Sequence, residues 1–265
     1  MTDGLYKGDL LTPEERETFE QDLISFCDRE LDLLGDIRGV NVLYAGGASP
    51  LWIEGLSQRT GNTGTLTALD ADTERVEAAQ KLLREADLAA PVRLVVGDVF
   101  RLPFAPGMFD LAYSAGLFHE LDVRVRTAED ALASLVSVVR TGGRVATSDF
   151  VVSVPAVQLE DEKLQRELAW EISGAEYYGI GSSDRLVTLH EALLAKVRWQ
   201  ILPPHPMRHL DKIALAEEES EGLGGLTAKS SRRLREHRDA LLERIKHEGY
   251  TRPATLYVEG FVIGG

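Results

Sequence analysis

The stretch from Val40 to Asp70 constrains this chain more than any other. A short apolar run ends in Gly46 and Gly47, a helical pattern follows at once, and a second apolar run ends in Asp70. This order is the β-strand, turn, α-helix, β-strand pattern of a nucleotide-binding half-sheet, in which the ligand lies above the turn. The sequence therefore predicts an α/β fold with a cofactor at this place.

The turn after the first run has residues that suit a close approach of the backbone to a ligand. Its paired glycines permit a sharp turn, Ser49 is expected to cap the next helix, and Pro50 suits a first helical position. Asp70 is placed to accept a hydrogen bond from a ribose hydroxyl. The full G-x-G-x-x-G pattern is absent because Ala48 and Pro50 stand at two of its positions, so the alternative is a tight turn that binds nothing.

Strand and helix patterns continue to alternate up to residue 150. Apolar runs at 92–96, 109–114 and 144–148 predict three further strands, and a helix is expected between Thr127 and Arg140. Such alternation indicates a parallel sheet with both faces covered, and ligands of such sheets bind beyond the carboxyl ends of the strands.

The two ends of the chain are expected to belong to the same domain, which covers residues 1–265. Thr12, Pro13 and Glu15 form a capping box, so residues 1–35 are expected to give a helix at the sheet edge; alternatively, the segment around Tyr6 folds over a cofactor. Residues 36–150 are the expected cofactor-binding core. Residues 151–253 are expected to be helical cap insertions with one strand, and 254–265 the final strand.

Charge and composition disfavour several partners. The formal net charge of -14 repels nucleic acid and anionic membranes, and acids interleaved with the basic run Lys229–Arg238 indicate a solvated helix face. The sequence does not start with basic residues followed by an apolar core, and no apolar run reaches the about 18 residues of a membrane span. We therefore expect a cytoplasmic location. With Cys27 as the single cysteine we expect neither an internal disulfide nor a Cys-based metal site, and no metal site is expected at His205 and His209 because they lack a third ligand at usable spacing. A homodimer is left open.

Four short motifs carry a resemblance to a known family. They are Asp98-x-x-x-Leu102-Pro103-Phe104, Phe109-Asp110 behind it, His119 after the fourth strand, and Gly142-Gly143 before the fifth. Together they resemble the class I S-adenosylmethionine-dependent methyltransferases, most of all the branch that methylates small molecules such as quinone precursors. The resemblance implies a Rossmann-like, seven-stranded, mostly parallel sheet with helices on both faces and an antiparallel last strand.

The resemblance also implies where S-adenosylmethionine, and S-adenosylhomocysteine as its product, would bind. The glycine turn would lie beside the methionine part, where the family's usual acid is replaced by Tyr44; the second strand would hold the ribose; and the Asp98 turn would hold the adenine. The transferable methyl group would lie after the fourth strand. The expected cofactor residues are Tyr44, Gly46, Gly47, Ser49, Asp70, Ala71, Asp98, Val99 and Ser114.

The expected acceptor site follows the fourth and fifth strands. His119 is expected to be the general base, because an ordinary imidazole pKa of about 6.5 suits proton removal near neutrality; the alternative is a structural histidine. Asp149 is expected to contact substrate. Tyr177 and Tyr178, flanked by glycines, are expected to do so from a mobile lid, or else to pack on the sheet as an ordinary loop.

Two functions of different classes follow from these residues. The first is an S-adenosylmethionine-dependent methyltransferase that acts on a small, partly apolar acceptor. The second is a non-catalytic protein of the same fold that binds S-adenosylmethionine or S-adenosylhomocysteine, or has a regulatory role. A nicotinamide-dependent oxidoreductase is a weaker third, because it would need the fuller glycine pattern.

Overall fold

The structure is a computed structural model that describes residues 10–152, 156–220 and 227–264. Tyr6 and its expected cofactor-covering segment lie outside the described residues. In the described part, no helix has both the length and the apolar character that crossing a membrane requires.

A single seven-stranded sheet organises the described residues, with strand order β3-β2-β1-β4-β5-β7-β6. Strand β7 is antiparallel to both its neighbours, while the pairs from β3 to β5 are parallel. The predicted Rossmann-like sheet with an antiparallel last strand is therefore confirmed. The strands are β1 Asn41–Ala45, β2 Thr65–Asp70, β3 Val92–Val96, β4 Phe109–Ala115, β5 Val139–Val151, β6 Ala195–Leu202 and β7 Ala254–Phe261.

Helices cover both faces of the sheet, as predicted. Side chains of β1 alternate between the faces: Leu43 packs with α4 and α6 on one side, while Val42 packs with α1 and α2 on the other. The helices are α1 Pro13–Leu31, α2 Pro50–Thr60, α3 Thr73–Leu83, α4 Ala128–Val138, α5 Ala156–Ser173, α6 Ser183–Leu193, α7 Leu210–Ser220 and α8 Ala228–Glu248. Helices α5, α7 and α8 form a further layer around Leu164, Leu234 and Ile245.

Two helix starts test the capping predictions. The capping box of α1 is confirmed, because the Glu15 N–H donates to the Thr12 hydroxyl at 3.3 Å and the Glu15 carboxylate accepts from the Thr12 N–H at 3.1 Å. Ser49 does precede α2, but its side chain makes no capping hydrogen bond and instead lines the main cavity. Ser49 therefore occupies the predicted N-cap position, but its side chain does not make the capping hydrogen bond.

The boundary between α4 and β5 also differs from the prediction. The helix ends at Val138 and the strand begins at Val139, five residues before the expected Arg144. Val139 pairs with Phe109 and Arg144 pairs with Leu111, so the chain between them bulges out of the ladder. Gly142 permits the bulge because its φ of +77° is unfavourable for residues with a side chain.

Candidate functional site

A cavity of about 510 Å³ extends across the carboxyl edge of the sheet. Its wall includes residues from the ends of β2, β1, β4 and β5, from the start of β7, and from helices α1, α2 and α3. This volume lies within the usual range of about 300 to 1,000 Å³ for small-molecule sites. The predicted position of a ligand site at this edge agrees with the cavity.

The glycine turn is folded back onto the end of β2. The N–H groups of Gly46 and Gly47 both donate to the Leu69 carbonyl, at 2.8 and 3.1 Å. Gly46 has a φ of +71°, which requires glycine, and a Cβ on Gly47 would lie 2.0 Å from the ring of Tyr44. Both glycines therefore serve the packing of the chain itself, and Gly46 also lines the cavity.

Tyr44 is part of the sheet core as well as of the cavity wall. Its side chain is buried, stacks on Tyr113 with ring centroids 5.9 Å apart, and lies directly beneath Gly47. Burial raises the pKa of Tyr44 well above its ordinary value. A carboxylate at this buried position would be costly unless a hydrogen-bond donor or a cation paired with it.

Asp70 lies at the opposite end of the glycine turn and is nearly buried. One carboxylate oxygen accepts the Ala48 N–H at 3.1 Å and the other accepts the Asp72 N–H at 2.9 Å. An ionised carboxylate has about four lone-pair sites, so it can accept further hydrogen bonds from a ligand in the cavity, whose wall it forms.

Several expected cofactor residues lie off the cavity wall. The Asp98 carboxylate accepts the Phe100 N–H at 2.9 Å and so caps its own turn, while Val99 is buried in the core. Ser114 is fully buried and donates to the Thr147 hydroxyl at 3.3 Å. The cavity wall includes Tyr44, Gly46, Ser49 and Asp70 from the expected set, but not Gly47, Ala71, Asp98, Val99 or Ser114.

Asp149 organises the loop that follows β4. It accepts backbone N–H groups of Phe118 at 2.7 Å, His119 at 3.2 Å and Phe150 at 2.7 Å, and it lies 2.6 Å from Nδ1 of His119. With this pairing Nδ1 carries a proton, and Nε2 lies 3.8 Å from the Glu120 carboxylate. The structure thus brings His119 and Asp149 together, and both line the cavity.

The ordinary pKa expected for His119 is wrong. Burial lowers the pKa of His119, but the charge of Asp149 and its hydrogen bond outweigh burial and raise that pKa to about 9. His119 is therefore an imidazolium near neutral pH. In that state it donates hydrogen bonds and cannot accept a proton from an acceptor.

Tyr177 and Tyr178 lie in different places. The Tyr178 N–H donates to the Leu121 carbonyl at 2.8 Å, and its ring lies 3.8 Å from the Arg185 guanidinium beside a small cavity that includes His119. Tyr177 lines a separate surface cavity next to Trp170. Tyr177 also contacts the loop after β4, through a backbone bridge to Asp122, but of the two tyrosines only Tyr178 lines the small cavity beside His119. A lid role for either one stays a prediction.

The sequence analysis missed the far end of the cavity. There the wall includes six residues from α1, α2, the end of β5, the start of β7 and the segment just before β7, namely Phe26, Glu30, Trp52, Phe150, Arg252 and Thr255. We call this region the acceptor chamber. A signal for Glu30 existed, because it follows Phe26 by four residues and so places a charge on the apolar face of α1.

Comparisons with known proteins agree with this geometry. Residues 42–143 match the family described as a methyltransferase domain. The ubiquinone/menaquinone biosynthesis C-methyltransferase UbiE of Azotobacter vinelandii is 32% identical over 122 residues, which are 45% of this chain and 46% of the relative. The chain therefore matches about half the length of this curated relative.

Two solved structures show the same fold at low sequence identity. The geranyl diphosphate C-methyltransferase of Streptomyces coelicolor, solved with Mg²⁺, geranyl diphosphate and S-adenosyl-L-homocysteine, is 13% identical with a TM-score of 0.55, over 96% of this chain and 88% of that one. The [4+2]-cyclase SpnF is 17% identical with a TM-score of 0.57, over 89% and 81%. Residues 42–143 are thus similar in sequence to a methyltransferase domain, and the chain shares its fold with solved structures such as the geranyl diphosphate C-methyltransferase of Streptomyces coelicolor.

Proposed function

We propose that this protein transfers a methyl group from S-adenosylmethionine to a small-molecule acceptor. The observation that carries the proposal is one cavity that joins the glycine turn and Asp70 at one end to the His119–Asp149 pair further along the sheet edge. A methyl donor and its acceptor have to share one continuous cavity, because methyl transfer depends mainly on holding the methyl carbon and the attacking atom of the acceptor in line.

The wall of the cavity fits a bound polar ligand. Among the described residues, the buried indole N–H of Trp52 has no acceptor, and a buried donor without a partner is rare unless a ligand or water completes it. Asp70 would hold the ribose hydroxyls, and Gly46 and Ser49 would lie beside the methionine part. When bound, S-adenosylmethionine supplies an electrophilic methyl group.

The remaining expected residues keep their roles as predictions. The Asp98 turn with Val99 is proposed to lie at the adenine, with Ala71 next to the ribose. Ser114, in strand β4, would lie beneath the transferable methyl group and would contribute only through the position of its backbone. On the acceptor side, Asp149 would hold the His119 imidazolium, which would position the acceptor by donating a hydrogen bond to it, and Tyr178 would extend this wall.

A non-catalytic binding protein of the same fold is the second candidate. It is favoured by the glycine turn, in which Gly46 and Gly47 are explained by backbone geometry and by the ring of Tyr44. Incubation with methyl-labelled S-adenosylmethionine and a mixture of small-molecule extracts separates the two candidates. Label in a small-molecule product supports the enzyme, whereas tight binding without any labelled product supports the second candidate.

Asp70→Asn is expected to weaken S-adenosylhomocysteine binding by roughly 10- to 100-fold, which is the loss of affinity expected when hydrogen bonds to a charged group are removed. The asparagine keeps one oxygen for a backbone N–H but loses the charge that the ribose hydroxyls would meet. Calorimetric titration measures the change.

Asp87→Asn is the matched control, because Asp87 is exposed and lies off the cavity wall. Thermal melting checks that both variants are folded. If folded Asp70→Asn protein binds S-adenosylhomocysteine as tightly as the parent, Asp70 does not hold the ribose. If the parent binds a nicotinamide cofactor and not S-adenosylhomocysteine, the proposed function itself fails.

A further inference from the structure

The acceptor chamber contains two opposite charges that do not form an ion pair with each other. Glu30 extends from α1 and is only 3% exposed, and Arg252 precedes β7. Neither forms an ion pair within the described part of the chain. Two charges held in one cavity without direct pairing are unusual, because isolated buried charges are costly.

Aromatic rings fix the position of Arg252. Its guanidinium carbon lies 5.0 Å from the ring centroid of Phe26 and 5.7 Å from that of Phe150. These contacts hold the cation over ring faces, yet its buried Nε–H has no acceptor among the described residues. Arg252 is thus a cation held over ring faces, and it lines the cavity wall.

The surroundings of Glu30 bring the pKa of its carboxyl close to neutral pH. Burial raises the pKa of Glu30 to about 7, even though the Thr255 hydroxyl next to it and the charge of Arg252 lower that pKa. The nearby charge of Asp149 raises it further, and Arg29 lowers it slightly. The other titratable groups around it are buried, namely Cys27, Tyr44 and Tyr113.

The position of Glu30 and Arg252 along the sheet edge indicates that they would contact the acceptor and not the cofactor. The sheet order β2-β1-β4-β5-β7 puts Asp70 at one end of the cavity and Arg252 at the other, with His119 and Asp149 between them. If the proposed function holds, the cofactor occupies the β2 and β1 end. The acceptor chamber is then left for the second substrate.

We propose that Glu30 and Arg252 act together on an acceptor that carries an acidic hydroxyl of the phenol or enol kind. The acceptor O–H bond breaks, its proton passes to the Glu30 carboxylate, and the oxyanion that remains accepts hydrogen bonds from Arg252. The rings of Phe26, Trp52 and Phe150 pack against the planar body of the acceptor. This inference rests on the proposed function, and it gives the proton to a residue outside the matched domain of residues 42–143.

The test uses the full chain loaded with S-adenosylhomocysteine and the coloured probe p-nitrophenol. Calorimetry is done at about pH 8, above the pKa of Glu30, in two buffers with different ionisation enthalpies. A phenolate that binds beside Glu30 makes this carboxylate take up a proton, so we expect uptake of about one proton by the parent protein. The probe without a hydroxyl, p-nitroanisole, is expected to cause no uptake.

Two variants separate the roles of the pair. Glu30→Gln is expected to bind p-nitrophenol without proton uptake. Arg252→Gln is expected to bind it roughly 10-fold more weakly or worse, because a charge-assisted hydrogen bond is lost. Glu54→Gln and Arg101→Gln, which lie off the cavity wall, are the matched controls and are expected to behave as the parent.

Each outcome has a separate meaning. Proton uptake that persists in Glu30→Gln, or unchanged affinity in Arg252→Gln, overturns the inference. So does a parent protein that binds S-adenosylhomocysteine but takes up no proton with p-nitrophenol, a result that needs no variant to fold and leaves the proposed function intact. A parent that fails to bind S-adenosylhomocysteine removes the proposed function and this inference together.

Discussion

Glu259→Gln is expected to lower the free energy of unfolding by about 3 kcal/mol, the lower end of the range for removing one partner of a buried ion pair. Glu259 is 1% exposed and accepts from Arg144 at 2.9 Å and from the Tyr257 hydroxyl at 2.7 Å, and it also pairs with Arg198. The variant leaves Arg144 without its counter-charge. We expect the lower end of this range of unfolding free energy because Arg198 is mostly exposed and stays hydrated when it loses its partner.

Urea unfolding measures this change, and Glu243→Gln is the control. Glu243 pairs with Lys246 at 3.0 Å on an exposed helix surface, so its loss is expected to leave the unfolding midpoint where it is. The Glu259 network joins β5, β6 and β7, and Arg144 also donates to the Leu34 carbonyl at 2.9 Å. Equal midpoints for both variants would show that this network adds nothing to stability.

Most of the fold could be predicted because its signals are local. The capping box at Thr12 and the apolar runs that become β1, β2 and β4 depend on residues next to each other in the sequence. The start of β5 could not be predicted in this way. Val139 becomes a strand residue because it pairs with Phe109, thirty positions away, and no local pattern contains that partner.

The same difference between local signals and contacts of distant residues decides which parts of the candidate site could be predicted. Gly46, Asp70, His119 and Asp149 could be predicted to approach one another, because each lies at or just beyond the carboxyl end of one of the parallel strands. The acceptor chamber could not, because α1 and the segment before β7 reach the sheet edge only through tertiary packing. A charged residue on an apolar helix face, as at Glu30, is a local sign of such packing.

The contact between His119 and Asp149 is expected to make the stability of this protein fall as the pH rises above neutrality. The folded pKa of His119 is about 9, compared with 6.5 for the free side chain. A raised histidine pKa stabilises the folded state fully below about pH 6.5, and the contribution is lost as the pH rises through about 9. The shift corresponds to about 3 kcal/mol.

The difference in unfolding free energy between the parent and His119→Gln isolates this contribution. It is expected to be largest near about pH 6.5 and to shrink by about 3 kcal/mol by about pH 9.5. Urea unfolding at a series of pH values measures it. Glu30, whose raised pKa of about 7 makes stability fall between about pH 4.5 and 7, is present in both proteins and cancels in the difference.

The same measurement decides which group can take the acceptor's proton. If the difference falls above neutrality as expected, His119 is an imidazolium at about pH 7 and positions the acceptor as a donor. The proton then needs another base, and Glu30 is a buried carboxyl on the same cavity wall whose pKa is raised to about 7. A difference that stays constant above about pH 7 would mean that Asp149 does not hold the proton on His119, and the general-base role expected from the sequence would return.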